Sequence, residues 1–377
     1  MDSLFRSLSL STALALVAAT NASAEDFKIS SVLALTGPAA YIGTSMRDGI
    51  QMAVEDINKN ELLGQGNTLV VSIEDDAGDK NQSLTLLNRA ANDSSVDMVL
   101  GPSTGAVSAV IGPAANDLKM PVFALTNIKS VVTAGPWGFI MTQLPGRTVP
   151  ILAGYVADVL KPKECAVITI SDSETYVNLA QTFVESTKAK GVAAGSYNEI
   201  KSTDIDFSAL AVKLVDEAPA CIHVSTPAVM GANIIIQLRQ AGLDPATYII
   251  GHNSFASPQL VTSGSTAVEG VYLMADWLPG GANEAGKAFN AAYLEKFGRE
   301  ADNWAPVGYS QTMIAADALK RAGSNPPRDQ VREALTTIKD VPVLLGDGVF
   351  NWDEERMPSY GMSILTIKDG QFTGAPK

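Results

Sequence analysis

The sequence predicts an α/β protein built from two consecutive, doubly wound parallel sheets with helices on both faces. β-rich and helical segments alternate along the first part of the chain, and the same alternation then starts again. The length of 377 residues agrees with this, because a domain typically has about 150 residues. Hydrophobic residues make up 46% of the chain and charged residues 18%, which excludes a disordered protein.

Residues 1–24 are predicted to be a secretory signal peptide. Arg6 precedes an apolar run at 8–19, and Ala22-Ser23-Ala24 matches an A-x-A cleavage pattern, so we expect export to the periplasm and cleavage after Ala24. The alternative is an N-terminal membrane anchor. The apolar run is shorter than the roughly 20 residues that a membrane-spanning helix needs.

The first predicted sheet is built from alternating strands and helices. Its first helix carries Met46, Ile50, Ala53 and Ile57 at helical spacing. The predicted strands are 28–35, 68–73, 96–100 and 121–125, and the predicted helices are 44–60, 82–92 and 106–118. Such a βαβ series predicts parallel strands.

The second predicted sheet repeats this arrangement, and a helical region follows it. Strands are predicted at 165–170, 192–197, 221–224 and 248–250, and helices at 150–160, 176–190, 207–217 and 229–241. The remaining chain is predicted to form helices at 284–297, 309–321 and 329–337, and then a hairpin of 348–351 with 362–367.

The loops after the predicted strands are rich in hydroxyl and amide groups and poor in charge. They are 36–38, 101–105, 126–127, 171–176, 225–226 and 252–254. Ligands of open α/β sheets bind outside the carboxyl ends of the strands. Helix N-termini add N–H groups and a positive dipole there, which suits a carboxylate. The alternative is that these Ser and Thr residues only cap helices.

The composition disfavours several classes of function. Lys+Arg number 27 against 40 Asp+Glu, a net charge of −13, and an acidic chain repels nucleic acid. The 2 Cys and 2 His do not have the C-x2–4-C and H-x3–5-H spacing of a structural zinc site. We therefore expect no metal, no cofactor and no nucleic-acid partner.

One motif favours an enzyme. Residues 101–105, Gly-Pro-Ser-Thr-Gly, fit the G-x-S-x-G nucleophile elbow between a strand and a helix. A secreted serine hydrolase would use Ser103 with His252 as base, since His223 lies within a predicted strand. Short Gly/Ser-rich matches are frequent by chance, so the hydrolase is the alternative reading.

Cys165 and Cys221 begin two strands that are neighbours in the common doubly wound order. Adjacent strands lie about 4.8 Å apart, which is compatible with a disulfide in an oxidising compartment. Two buried thiols are the alternative.

Several stretches resemble a known family in their order and spacing. They are Thr36-Gly37-Pro38-Ala39-Ala40 followed by 49–58, then 74–77, 101–104, 238–243 and the closing 348–370. The chain resembles the periplasmic leucine/isoleucine/valine-binding proteins, which are type I solute-binding proteins of ABC importers. The resemblance covers nearly all of the chain after residue 24.

The resemblance implies two lobes joined by a three-segment hinge, with a ligand in the cleft. Lobe 1 would be 25–146 with 277–345, and lobe 2 would be 147–276 with 346–377. The lobes would close on a small carboxylate, and an ABC permease at the inner membrane would recognise the closed form. A monomer without enzymatic activity is expected. A sensor with the same fold stays open as a further class.

The resemblance also implies the ligand contacts. They are Tyr41, Ser103, Thr104, Gly105, Thr126, Asn127, Tyr176, Thr226, Asn253 and Trp304. Tyr176 matches the family's pattern. A carboxylate-binding serine falls on Gly105, so Ser103 or Thr104 would substitute. Thr126-Asn127 and Thr226 are further departures, and the acid that receives an α-ammonium falls on Asn253.

The change at Asn253 leaves the ligand open. A buried ammonium needs an anion, because an unpaired buried charge is costly. Either Asp172 or Glu174 replaces the acid, or the ligand has no ammonium. An amino acid and an aromatic or other organic carboxylate are both candidates, with Tyr41 and Trp304 as stacking walls.

Overall fold

The computed structural model describes residues 24–278, 280, 281 and 283–376, without the side chain of Ala106. Apart from Ala24, the predicted signal peptide lies outside these residues. No helix among the described residues is long and apolar enough to cross a membrane.

A five-stranded parallel sheet forms the first body, in the order β2-β1-β3-β4-β5. Its strands are β1 (Asp26–Leu33), β2 (Thr68–Asp75), β3 (Met98–Leu100), β4 (Val122–Ala124) and β5 (Gly138–Ile140). Four helices connect them: α1 (Ala40–Lys59), α2 (Lys80–Asn92), α3 (Gly105–Leu118) and α4 (Lys129–Thr133). β3, β4 and β5 are fully buried, as expected for strands covered by helices on both faces. The prediction missed α4 and β5.

The second body repeats this order with its own strands. They are β6 (Glu164–Ile170), β7 (Ala193–Ile200), β8 (Cys221–Ser225), β9 (Tyr248–Gly251) and β10 (Tyr272–Ala275). The helices are α5 (Pro145–Tyr155), which continues as a π-helical turn at Val156–Leu160, α6 (Glu174–Ala189), α7 (Ser208–Glu217), α8 (Ala228–Gln240) and α9 (Pro258–Gly264). β10 and α9 were not predicted.

After β10 the chain returns to the first body. There it forms α10 (Glu284–Phe297), α11 (Trp304–Ala322) and α12 (Arg328–Thr336). α11 lies directly against α1, and the contact requires glycine. A Cβ at Gly49 would clash with the carbonyl of Ala305, and one at Gly308 would lie 2.5 Å from the carbonyl oxygen of Met46. Small residues therefore let the two helix backbones approach closely.

A small antiparallel sheet follows, made of β11 (Val341–Pro342), β12 (Val349–Trp352) and β13 (Pro358–Ser359). Phe350 of β12 is fully buried in the first body, with its ring centroid 6.5 Å from that of Phe123. The last two strands, β14 (Ser363–Lys368) and β15 (Gln371–Gly374), extend the second sheet to the order β15-β14-β10-β9-β8-β6-β7.

These strands correct the predicted C-terminal hairpin. β12 and β14 belong to different sheets, and β14 pairs instead with β10 and β15. The chain thus crosses between the bodies three times: after β5, after β10 and between β13 and β14. The lobe boundaries stay a proposal. We would move the last one from 346 to about 361, because Phe350 and Tyr360 pack in the core of the first body.

Cys165 and Cys221 form a disulfide between the neighbouring strands β6 and β8. The two residues are direct partners in the parallel ladder, and their Cα atoms lie 4.5 Å apart. Both side chains are buried. The structure therefore decides the question that the sequence left open.

Replacing both Cys165 and Cys221 by alanine should lower the free energy of unfolding. The bridge joins residues 56 positions apart, and losing such a constraint on the unfolded chain costs about 2–4 kcal/mol. Urea unfolding with and without a reductant measures this. Reductant should destabilise the wild type and leave the double variant unchanged. An unchanged wild-type midpoint, with thiol labelling proving reduction, would contradict the prediction.

Candidate ligand-binding cleft

The carboxyl ends of the parallel strands in each body carry the predicted contact residues. β1, β3 and β4 lead into the loops before Tyr41, Thr104 and Asn127, while β6, β8 and β9 lead into Tyr176, Thr226 and Asn253. Because neighbouring strands are parallel, each group of loops lies at one edge of its sheet.

In the first body, the predicted residues around the start of α3 lie together. A Cβ at Gly105 would lie 3.6 Å from both Thr126 Oγ1 and Ile128 Cγ1. The Thr126 hydroxyl accepts a hydrogen bond from the Ile128 N–H at 3.1 Å, which shapes this loop. Gly105 therefore leaves room beside a threonine hydroxyl. Thr104 precedes α3 without capping it by its side chain, and Asn127 is half-buried.

Ser103 has a structural partner rather than a catalytic one. It is buried, and its Oγ accepts a hydrogen bond from the Ala34 N–H at 2.9 Å, which joins the loops after β1 and β3. His252 Nδ1 accepts from the Ser254 N–H at 3.2 Å, within its own loop. Within the described chain no hydrogen bond joins Ser103 to His252. The serine hydrolase alternative is therefore not supported.

Tyr176 forms the clearest part of the second wall. It lies in the first turn of α6, and its ring centroid is 5.5 Å from that of His252. Burial raises its pKa to about 12, opposed by a hydrogen bond with the Ser254 side chain. Its peptide carbonyl accepts from the Ser225 hydroxyl at 2.8 Å. Tyr176 is thus held by the loops after β8 and β9.

Tyr41 approaches Tyr176 from the first body. The two phenols are close enough to raise the pKa of Tyr176 further, after the larger effect of burial. Burial, and then the Asp302 carboxylate, also raise the pKa of Tyr41, although 37% of the residue is exposed. An electrostatic effect of this kind requires the two phenols, one from each predicted wall, to be near each other.

Among the remaining predicted contacts, Thr226 points into its own lobe. Thr226 is fully buried, and its hydroxyl donates to the Pro227 carbonyl at 3.2 Å. A Cβ at Gly231 would lie 3.0 Å from that hydroxyl, so it lies beneath α8. Trp304, at the start of α11, packs partly buried against the first core. Trp304 stays a predicted contact, since its N–H donates to Asp302, which also lies near Tyr41.

Asn253 belongs to a buried polar cluster that the sequence analysis missed. Asp276 follows β10 and is 1% exposed. Its Oδ1 accepts from the Tyr360 hydroxyl at 2.7 Å, and its Oδ2 accepts from Asn303 Nδ2 at 3.2 Å. The Asn253 side chain is a further hydrogen-bond partner. Burial raises the pKa of Asp276, and these hydrogen bonds oppose the rise.

The amino-acid sequence contains only a weak indication that Asp276 is part of the site. It is a lone acid after the apolar run 271–275 and directly before a tryptophan. Its partners lie far along the chain, so their convergence appears only in three dimensions. No group of three or more His, Cys, Asp or Glu residues in the described part of the chain could hold a metal ion.

The fold and the opposed walls define a two-lobed solute-binding protein. The chain belongs to the periplasmic binding protein family, whose model matches residues 26–371. It is 25% identical over 353 residues to Leu/Ile/Val-binding protein homolog 3 of Brucella melitensis, covering 93% of each chain. It is also 25% identical over 350 residues to the leucine-specific-binding protein of Salmonella typhimurium, covering 90% of each.

Solved structures share the fold. A leucine-binding protein of Thermotoga maritima matches with a TM-score of 0.81 and 24% identity, covering 93% of this chain and 98% of that one. The branched-chain amino acid transporter substrate-binding protein of Streptococcus pneumoniae, solved in complex with isoleucine, matches with a TM-score of 0.79 and 21% identity, covering 92% and 97%. The predicted fold class is confirmed.

Replacing Asp276 by asparagine should change how stability depends on pH. Because the pKa of Asp276 is raised on folding, its stabilising contribution is fully present below about pH 4 and is lost as the pH rises through the folded pKa. The amide that replaces the carboxyl group does not titrate. The wild-type free energy of unfolding minus that of D276N should therefore fall as the pH rises from about 4.

Urea unfolding between about pH 4 and pH 8 measures this difference. Asp216→Asn, at an exposed position on α7, is the matched control and should leave the wild-type pH profile unchanged. A wild-type advantage over D276N that grows with pH would contradict the assignment.

Proposed function

We propose that this chain is the periplasmic solute receptor of an ABC importer of the branched-chain amino acid type. It is exported by a signal peptide cleaved after Ala24, acts as a monomer and binds its solute without chemical turnover. The observation that carries this proposal is that Tyr41 and Tyr176 each follow the carboxyl end of a strand, in two separate parallel sheets of the same strand order.

The cleft suits a carboxylate held by uncharged donors. The predicted contact residues include hydroxyl and amide side chains and no charged one, and the N-terminus of α3 adds backbone N–H groups beside Thr104 and Gly105. Neutral donors can hold an anion firmly enough for capture and still release it when the lobes open. The relatives named for leucine, isoleucine and valine support a small carboxylate as the ligand.

We further propose that the ligand carries no α-ammonium group. Asn253 is neutral, and the nearby Asp276 carboxylate is already satisfied by Tyr360, Asn303 and Asn253. Asp172 accepts from the Ser202 N–H at 3.0 Å and from its hydroxyl at 2.8 Å. An ammonium beside Asn253 would meet only these hydrogen-bonded carboxylates, because Glu174 is exposed at the start of α6, and burying the ammonium there is therefore costly. An aromatic or aliphatic carboxylate avoids that cost.

Paired ligands that differ only in the ammonium group test both statements. Calorimetry should detect binding of 3-phenylpropanoate or 4-methylpentanoate, and each should bind at least about tenfold more tightly than phenylalanine or leucine, a difference of about 1.4 kcal/mol. Tighter binding of the amino acids would overturn the second statement alone. Binding of no carboxylate from either class would overturn the first.

Tyr176→Ala locates the binding site. It should weaken binding of the preferred carboxylate by about 1–3 kcal/mol, because it removes a wall of the cleft. Tyr197→Ala is the matched control, since Tyr197 lies on β7 and is 41% exposed. Equal effects of the two substitutions would place the ligand elsewhere.

A further inference from the structure

A cavity that we call the flank cavity is lined by none of the predicted contact residues of the cleft. Its volume is about 270 Å³. The second lobe contributes Val261 and Thr262 from α9 and Leu365 and Phe372 from the β14–β15 hairpin. The opposite wall is Trp277 with residues 300–303, which lead into α11. Both lobes therefore line one cavity.

The lining combines an apolar body with negative charge. Val261, Trp277, Leu365 and Phe372 supply aliphatic and aromatic surface, and Glu300 and Asp302 are the ionisable residues that line the cavity. No basic side chain lines it. Across the described residues, neither Glu300 nor Asp302 forms an ion pair.

Hydrogen bonds hold the Asp302 carboxylate in place through one of its two oxygen atoms. Its Oδ1 accepts from the Ser45 hydroxyl and from the Trp304 and Ala305 N–H groups, at 2.9 and 3.2 Å for the two backbone donors. Its Oδ2 has no hydrogen-bond donor in the part of the chain that the structure describes. A carboxylate held in this way is preorganised for a cation, because its side chain loses little conformational freedom when the cation binds.

We propose that this flank cavity binds a compact organic cation. The ammonium group lies at Asp302 and Glu300, and the apolar part lies against Val261, Leu365, Phe372 and Trp277. Aromatic side chains attract cations as well as apolar surface, and the cavity is large enough for a molecule the size of a phenylethyl group. The net charge of −13 adds long-range attraction for cations.

Occupation of the cavity is linked to the hinge. A cation that contacts both walls binds more tightly to one relative position of the lobes than to another, and it shifts the opening equilibrium accordingly. By reciprocity, a solute in the cleft changes the affinity of the cavity by the same factor. The flank site is thus a modulator of solute capture that adjoins the cleft, since Asp302 also lies close enough to Tyr41 to raise its pKa.

Calorimetry on the full chain with 2-phenylethylammonium tests the site. The cation should bind saturably, and at least about tenfold more tightly than the neutral 2-phenylethanol, because the ammonium forms charge-assisted hydrogen bonds that the alcohol does not. Glu300→Gln should weaken binding of the cation several-fold. Glu295→Gln, at an exposed position on α10 outside the cavity, is the control and should leave this binding unchanged. Equal affinity for cation and alcohol would overturn the proposal, as would the absence of saturable binding.

Filling the cavity gives the second arm of the test. Val261→Trp should abolish binding of the cation and leave the affinity of the cleft for its carboxylate within about threefold. If Val261→Trp does not fold, Thr262→Trp, at an exposed position on the rim of the cavity, should have the same two effects on cation and carboxylate binding. Cation binding that survives a folded filling variant would overturn the site. Failure of the carboxylates alone would instead overturn the proposed function and leave this site standing.

Discussion

The buried carboxylate of Asp276 ties together the segments through which the chain crosses between its lobes. Tyr360, in the last crossing, donates to it, and the Gly346 N–H donates to its backbone carbonyl at 2.9 Å. Gln143, in the first crossing, donates to the Gly361 carbonyl at 2.7 Å. A buried carboxylate is tolerated only where its oxygens are hydrogen-bonded. These hydrogen bonds therefore hold the crossings in one arrangement.

The crossings connect two sheets that have the same strand order. Both sheets follow the doubly wound order, so each has one edge where its strand ends, loops and helix N-termini collect. The crossings join these edges, and Tyr41 lies near enough to Tyr176 to raise the pKa of its phenol. Capture then needs no catalytic group. A ligand that contacts both edges favours the closed arrangement by the difference in its affinity for the two states.

Much of the fold could be predicted from the sequence, because helical spacing and β-rich runs are local. The helix at 284–297 was predicted with its observed bounds. β5 and β10 were missed because strands of three or four residues, buried on both faces, show no alternation of polar and apolar residues. The C-terminal hairpin was wrong because pairing with β10 is a long-range choice that turn residues do not encode.

The candidate site was predictable to a smaller extent. The hydroxyl-rich loops follow from strand ends, which a pattern can locate, whereas Tyr176 was implied by the family resemblance. The direction of a side chain does not follow: Thr226 points beneath α8, and Ser103 caps the loop after β1. The Asp276 cluster joins residues from 253 to 360, so only the folded chain reveals it.

Small-angle X-ray scattering with and without a saturating carboxylate tests most directly whether the lobes clamp a solute. The account predicts a smaller radius of gyration in the bound state, and loss of that compaction in Tyr176→Ala at the same ligand concentration. A radius of gyration that does not change while calorimetry shows full occupancy would contradict it.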